Sequence, residues 1–149
     1  MVSGPSNDKL FMFGGSGPQG KTKYGDLWMY SMKDGKWTRI HESNAELATA
    51  RDQHGVAVAG NRMILFGGRT EKGPTNDVLS LRLDTFDWEV LFAHSDDYGP
   101  RPRGGASVNL STCGRYLYIF GGWGVQDRCV WEFDLEEREW VKRSPQLPP

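Results

Sequence analysis

Three copies of one phrase constrain this chain more than any other feature. "LFMFGG" occupies residues 10–15, "MILFGG" 63–68 and "LYIFGG" 117–122. Their leading glycines, Gly14, Gly67 and Gly121, lie 53 and 54 residues apart. Trp37, Trp88 and Trp140 follow at spacings of 51 and 52. Between each glycine pair and its tryptophan stands another matched segment: "DLWMYSM" (26–32), "DVLSLRL" (77–83) and "CVWEFDL" (129–135), each beginning 11 residues before its tryptophan. Before the second and third pairs stand "RDQHGVAV" (51–58) and "RGGASVNL" (103–110). A period of this length makes the repeat the unit of architecture.

Each unit reads as four short strands. The first, "HGVAVAG", is small and β-branched, and a turn at Gly60-Asn61 leads from it to the second, "RMILFGG". The third alternates, with Leu27, Met29 and Ser31 on one face and Trp28, Tyr30 and Met32 on the other. A turn such as Asp34-Gly35 leads to the fourth, which opens on the tryptophan. Helical periodicity is nearly absent; only "SNAELATA" (43–50) suggests a turn of helix, with Ser43 and Glu46 spaced as a capping box. A repeated four-stranded antiparallel unit of this size is a β-propeller blade. Small inner strands fit the narrow centre, continuous apolar strands are buried between blades, and tryptophans fill the wider rim.

The order Arg51-x-x-His54, apolar strand, Gly67-Gly68, Asp77-Val78, Trp88 resembles the kelch repeat, as does "FGG…YGDLWMY…W" over 13–37. The resemblance implies an all-β, partial kelch-type propeller of about three four-stranded blades. The blades are expected at 1–40 (lacking most of its inner strand), 41–92 and 93–144, with 145–149 beginning a linker. Gly14, Gly15, Gly67, Gly68, Gly121, Gly122, Trp37, Trp88 and Trp140 are its structural positions. The resemblance places each glycine pair where backbones crowd, which suits a residue free to take positive φ. The third unit departs from the pattern. Cys129 stands where the others have Asp26 and Asp77, and Ala106 stands where the second has His54.

Propellers close with roughly four to eight blades, and three do not make a ring. The sequence is therefore expected to be part of a longer propeller, with pairing of two half-rings as the competing account. Net charge is −1, which gives no reason to expect nucleic acid or an anionic membrane as partner. Two cysteines, Cys113 and Cys129, are too few for a disulfide scaffold or a structural zinc site and suit reduced thiols in the cytoplasm.

No catalytic residue, metal site or cofactor is expected. The histidines, His41, His54 and His94, lack metal-ligand spacing. His54 is expected to anchor its blade by hydrogen bonds, and the other two to be solvated. Some kelch relatives are copper oxidases or carry an iron site with Glu, Asp and His four apart; neither cysteine suits the first, and the second pattern is absent. What remains is the loop face. The loops joining second to third strands (16–25, 69–76, 123–128) and those joining blades (41–50, 93–102) open on the same side. The resemblance implies a peptide or protein partner there, and Tyr24, Gln53, Arg69, Tyr98, Trp123, Gln126 and Arg128 are the candidate contacts. Arginines and aromatics are the types enriched at binding hot spots. Arg51 and Arg103 recur at one strand entrance, so they are expected to make a structural salt bridge or hydrogen bond rather than a ligand contact. A propeller enzyme with a central substrate pocket is the alternative reading.

Overall fold

The computed structural model describes residues 1–6, 8–125, 127 and 129–143. Among them the chain is all-β, with three antiparallel sheets and short 3-10 turns at Pro18–Gly20 and Ala45–Leu47. The first sheet runs β1 (Val2–Ser3), β2 (Lys9–Ser16), β3 (Lys23–Ser31), β4 (Lys36–Ile40) in spatial order. In the second, β5 (Arg51–Asp52) and β6 (Gly55–Ala59) both pair with β7 (Arg62–Thr70), followed by β8 (Gly73–Arg82) and β9 (Trp88–Phe92). The third runs β10 (Ser107–Leu110), β11 (Tyr116–Phe120), β12 (Val130–Asp134), β13 (Glu139–Arg143). Every sheet is an up-and-down meander, the form of a propeller blade.

The core lies between sheets, and β7 shows why. Met63 and Leu65 pack toward the first sheet, with Phe11, Phe13 and Leu27. Ile64 and Phe66 pack toward the third, with Leu117, Ile119 and Phe133. A strand buried on both faces reads as a continuous apolar run, which is why the four-residue apolar run at 63–66 shows no alternation. The tryptophans complete each contact. Phe13 meets Trp88 edge-on at 5.1 Å, and Phe66 meets Trp140 edge-on at 5.6 Å. Inner strands crowd more closely still: a Cβ on Gly55 would lie 2.0 Å from Val108 of the third sheet.

The first two glycine pairs are crossing points for the chain entering the next sheet: a Cβ on Gly14 would meet the Arg51 carbonyl at 2.6 Å. Gly67 has φ 59°, and a Cβ there would meet the Arg103 carbonyl at 2.8 Å and the Thr75 carbonyl at 3.0 Å. Gly68 donates its N–H to that same Arg103 carbonyl at 2.9 Å. A β-bulge between Phe66 and Gly68 frees these groups from the ladder, and Phe13/Gly15 repeats it.

Three expectations are corrected. Ser43 and Glu46 form no capping box: Asn44 takes the cap position at φ 56° without a side-chain bond, and Ser43 instead bridges Asp87. Backbone exchange of Ser43 with Phe86 and Trp88 draws the segment into the sheet edge and outweighs local helix preference. The supposed loop 69–76 is mostly ladder, since β7 runs to Thr70 and β8 starts at Gly73. Thr70 closes that tight turn by donating to the Gly73 carbonyl and accepting the Lys72 N–H. The third unit does not lack its acid, as described below. The expected linker at 145–149 lies outside the described residues.

Candidate functional site

The recurring arginines are wholly interior. Arg51 is 1% exposed and Arg103 0%. Arg51 donates to both carboxylate oxygens of Asp77 (2.7 and 2.9 Å), to the Gly67 carbonyl (3.1 Å) and to Thr49 O and Oγ1. Arg103 repeats the arrangement with Asp127 (3.0 and 2.8 Å), the Gly121 carbonyl (2.9 Å) and Arg101 O. Each guanidinium thus ties a strand entrance to a glycine-pair carbonyl and an acid, the bidentate geometry arginine is shaped for. These are structural clamps, as expected from their recurrence. Asp127 supplies the carboxylate that Cys129 cannot, from two residues upstream, and Trp131 Nε1 also donates to it at 3.1 Å. Those hydrogen bonds, Arg103 foremost, hold Asp127 below the usual carboxylate range against the effect of burial. In the first sheet Asp26 instead accepts from Trp28 Nε1 at 2.6 Å.

His54 joins two sheets rather than anchoring its own. Its ring meets Phe13 edge-on at 5.8 Å, and its hydrogen-bond partner is the Phe13 backbone; among the described residues its buried Nδ1 has no partner. Burial, reinforced by the Arg51 charge, drives its pKa down to about 4. Of the other histidines, His94 is half-exposed but not merely solvated, since its Nδ1 lies 3.3 Å from Thr75 Oγ1.

Three candidate contacts gather around Gly104-Gly105, where the chain enters the third sheet. Gln53, at φ 55°, accepts the Gly105 N–H on its carbonyl at 2.7 Å. A Cβ on Gly104 would lie 3.0 Å from Gln53 Oε1 and 3.1 Å from Arg69 Cγ. Trp123 donates its backbone N–H to the Gly104 carbonyl, and its indole covers Gly105 so closely that a Cβ there would lie 2.5 Å from Cδ1. The indole is nonetheless 74% exposed. Arg69 is exposed, and among the described residues its guanidinium makes no ion pair. The two glycines therefore leave room for these side chains: Gly104 is buried beneath Gln53 and Arg69, and the Trp123 indole lies over Gly105.

Tyr24 and Tyr98 do not join this group. Tyr24 is exposed, with its hydroxyl beside Gly17. Its neighbour Lys23 crosses to Asp52 at 2.8 Å and links first and second sheets. Burial raises Asp52, but Lys23 and Ser16 hydrogen bonds and the Lys23 and Arg69 charges outweigh it and leave the carboxyl low. Tyr98 packs on Phe92 at 5.9 Å, at the edge of the Phe92–Trp140 stack. Gln126 and Arg128 lie outside the described residues.

Two adjoining clefts escaped the sequence reading. One, of about 330 Å³, is lined by Leu47, Thr49, Lys72, Thr75 and His94, with Arg51 and Asp77 at its wall. The other, of about 590 Å³, shares Lys72, Pro74 and His94 and adds Asp96, Arg101 and Gly124. They join loops distant in sequence, so only the Arg and His residues hinted at them. Among the described residues no three His, Cys, Asp or Glu side chains come together as a metal-binding group. No helix of the described residues is long and apolar enough to cross a membrane.

The KLHDC2/KLHL20/DRC7 Kelch-repeats domain matches residues 1–148. The chain belongs to the kelch-repeat family. Kelch relatives include the Caenorhabditis elegans host cell factor homolog hcf-1, 31% identical over 76% of this chain and 15% of its own length. Kelch domain-containing protein 2 of Bos taurus is 30% identical over 62% of the chain and 23% of its own length. N-(sulfonatooxy)prop-2-enimidothioate sulfolyase of Thlaspi arvense is 27% identical over 71% of the chain and 31% of its own length. The kelch chain thus spans between about a seventh and a third of the length of these three relatives.

Proposed function

We propose that this kelch chain is a protein-interaction module of the cytoplasm that holds an extended peptide on the surface shared by Gln53, Arg69 and Trp123. The single observation behind this reading is Trp123, 74% exposed with its indole over Gly105, next to the Gly104 against which Arg69 packs. A large aromatic held rigid in water loses little entropy on binding, and beside an open arginine it forms a hot-spot pair. Arg69 pairs a carboxylate of the partner, and Gln53 offers an amide to its backbone. Gln126 and Arg128, three and five residues after Trp123 in the sequence, are proposed as further contacts. The kelch relatives with host cell factor names are consistent with a scaffold role.

The test is a pull-down from cell extract with wild type, Arg69→Ala, Trp123→Ala and Arg128→Ala, followed by titration of any recovered peptide. Loss of the same partner in the Arg69 and Trp123 variants, at unchanged melting temperature, is expected. Equal recovery of every partner by all four proteins refutes the site.

A further inference from the structure

We propose that the wider of the two clefts binds a phosphate monoester, that of a phosphorylated serine or threonine in the bound peptide; the site stands on its own residues, and only the peptide as its source rests on the reading above. The cleft, of about 590 Å³, carries Lys72 from the β7–β8 turn, His94 from the segment after β9 and Arg101 from the entry to the third sheet. Lys72 and Arg101 are exposed, and among the described residues neither makes an ion pair. Among the described residues Asp96 is the one acid of the lining, 83% exposed and 3.6 Å from His94 Nε2. Two cations in one concave place without counter-ions repel each other and favour an anion that takes both.

The backbone beneath all three groups is fixed. Asn76, fully buried, donates to the carbonyls of Ser95 (2.7 Å) and Pro100 (2.6 Å) and accepts the Ser95 N–H (3.0 Å), so both ends of the 94–101 loop are tied to β8. The Arg101 carbonyl accepts from Arg103 Nε at 2.8 Å, and Thr70 Oγ1 accepts the Lys72 N–H at 3.2 Å. Thr75 Oγ1 lies 3.3 Å from His94 Nδ1 and orients the ring. A site whose backbone is set beforehand gives up only the freedom of its long side chains on binding. A phosphate monoester brings about −1.5 to −2 of charge at neutral pH and three acceptor oxygens, enough for both cations and the imidazole; a carboxylate brings one charge to two cations. The chain's net charge of −1 offers no longer positive track for a polyphosphate backbone. Gly124, the residue after Trp123, lines the same cleft, so the peptide surface and the cleft adjoin.

NMR titration of the 149-residue chain with N-acetyl-phosphoserine amide is expected to give saturable shifts at Lys72, His94 and Gly124 at about millimolar concentration, and none with N-acetyl-serine amide. Lys72→Ala and Arg101→Ala each weaken that binding about tenfold. Asp96→Asn removes the competing carboxylate and tightens it. All three residues are exposed, so melting temperatures are expected to stay unchanged. A degenerate peptide library with one central phosphoserine is expected to be retained on the immobilised protein over the same library with serine. Trp123→Ala separates the two readings: library retention lost while the phosphoserine amide still binds supports both, and retention unchanged refutes the peptide surface while the phosphate site stands. Equal binding of N-acetyl-aspartate amide, or undiminished binding by Lys72→Ala or Arg101→Ala, overturns the phosphate site. Phosphoserine amide or inorganic phosphate bound without enrichment of the phosphorylated library shows a free phosphate ligand and overturns the proposal too.

Discussion

Replacing Asp77 with alanine isolates the clamp from the rest of the fold. The change leaves the Arg51 guanidinium 1% exposed with its charge partner gone. Breaking a buried pair from one side costs about 3–5 kcal/mol, because an uncompensated charge stays inside. Here three acceptors remain, the carbonyls of Gly67 and Thr49 and the Thr49 hydroxyl. The Asp77 side chain is also 12% exposed, so water reaches the vacated site. Both features move the cost to the lower end, about 3 kcal/mol, or roughly 6–12 °C in melting temperature for a chain of this size.

Urea unfolding and thermal melts at neutral pH measure it. A second variant separates charge from packing. Arg51→Met in the Asp77→Ala background removes the stranded cation, and most of the lost stability is expected to return. A cycle over the two sites should then show coupling of at least about 1 kcal/mol. An Asp77→Ala protein melting within about 2 °C of wild type, or a double variant that merely sums the singles, refutes the clamp as an energetic unit.

Three further outcomes follow from the same geometry. His54, with a pKa near 4 against an ordinary value near 6.5, binds fewer protons folded than unfolded between those values, so stability is full above the window and falls as pH drops through it. The loss from pH 7 to 5 is roughly 2 kcal/mol, and His54→Gln flattens that limb in melts against pH; an unaltered slope counts against the assignment. Gly67→Ala costs about 3 kcal/mol and Gly121→Ala about 1, since both take positive φ but only Gly67 also meets carbonyls, and equal costs in urea would contradict the crossing-point account. Glu89→Gln, at a half-exposed site between Arg62 and Arg138, shifts stability by less than about 1 kcal/mol; a larger loss would mean the second and third sheets rely on that bridge.

What the sequence made legible was whatever the repeat encodes three times. The Phe-Gly-Gly phrases end the second strand of each sheet, and Phe13 and Phe66 meet Trp88 and Trp140 because each pair performs the same task at its sheet boundary. Arg51 and Arg103 were readable as salt bridges for the same reason: two copies at one strand entrance imply a common partner. Residues whose role depends on a neighbouring sheet were not readable in this way. Cys129 stands in register where an acid was wanted, but a carboxylate can arrive from any backbone within arginine's reach, and Asp127 does so from outside the strand. Ser43 and Glu46 had the right spacing for a cap and lost to a sheet edge offering backbone bonds. Gln53, Arg69 and Trp123 could be chosen by type, yet the reason they gather is Gly104-Gly105, whose missing side chains leave room for all three only when the third sheet's entrance folds across the second. Tyr24 and Tyr98 had the same credentials by type and were carried elsewhere, one beside Gly17 and one into an aromatic stack. Residue type therefore selected rim chemistry here, while position on the rim was decided by contacts between sheets, which a pattern within one repeat does not contain.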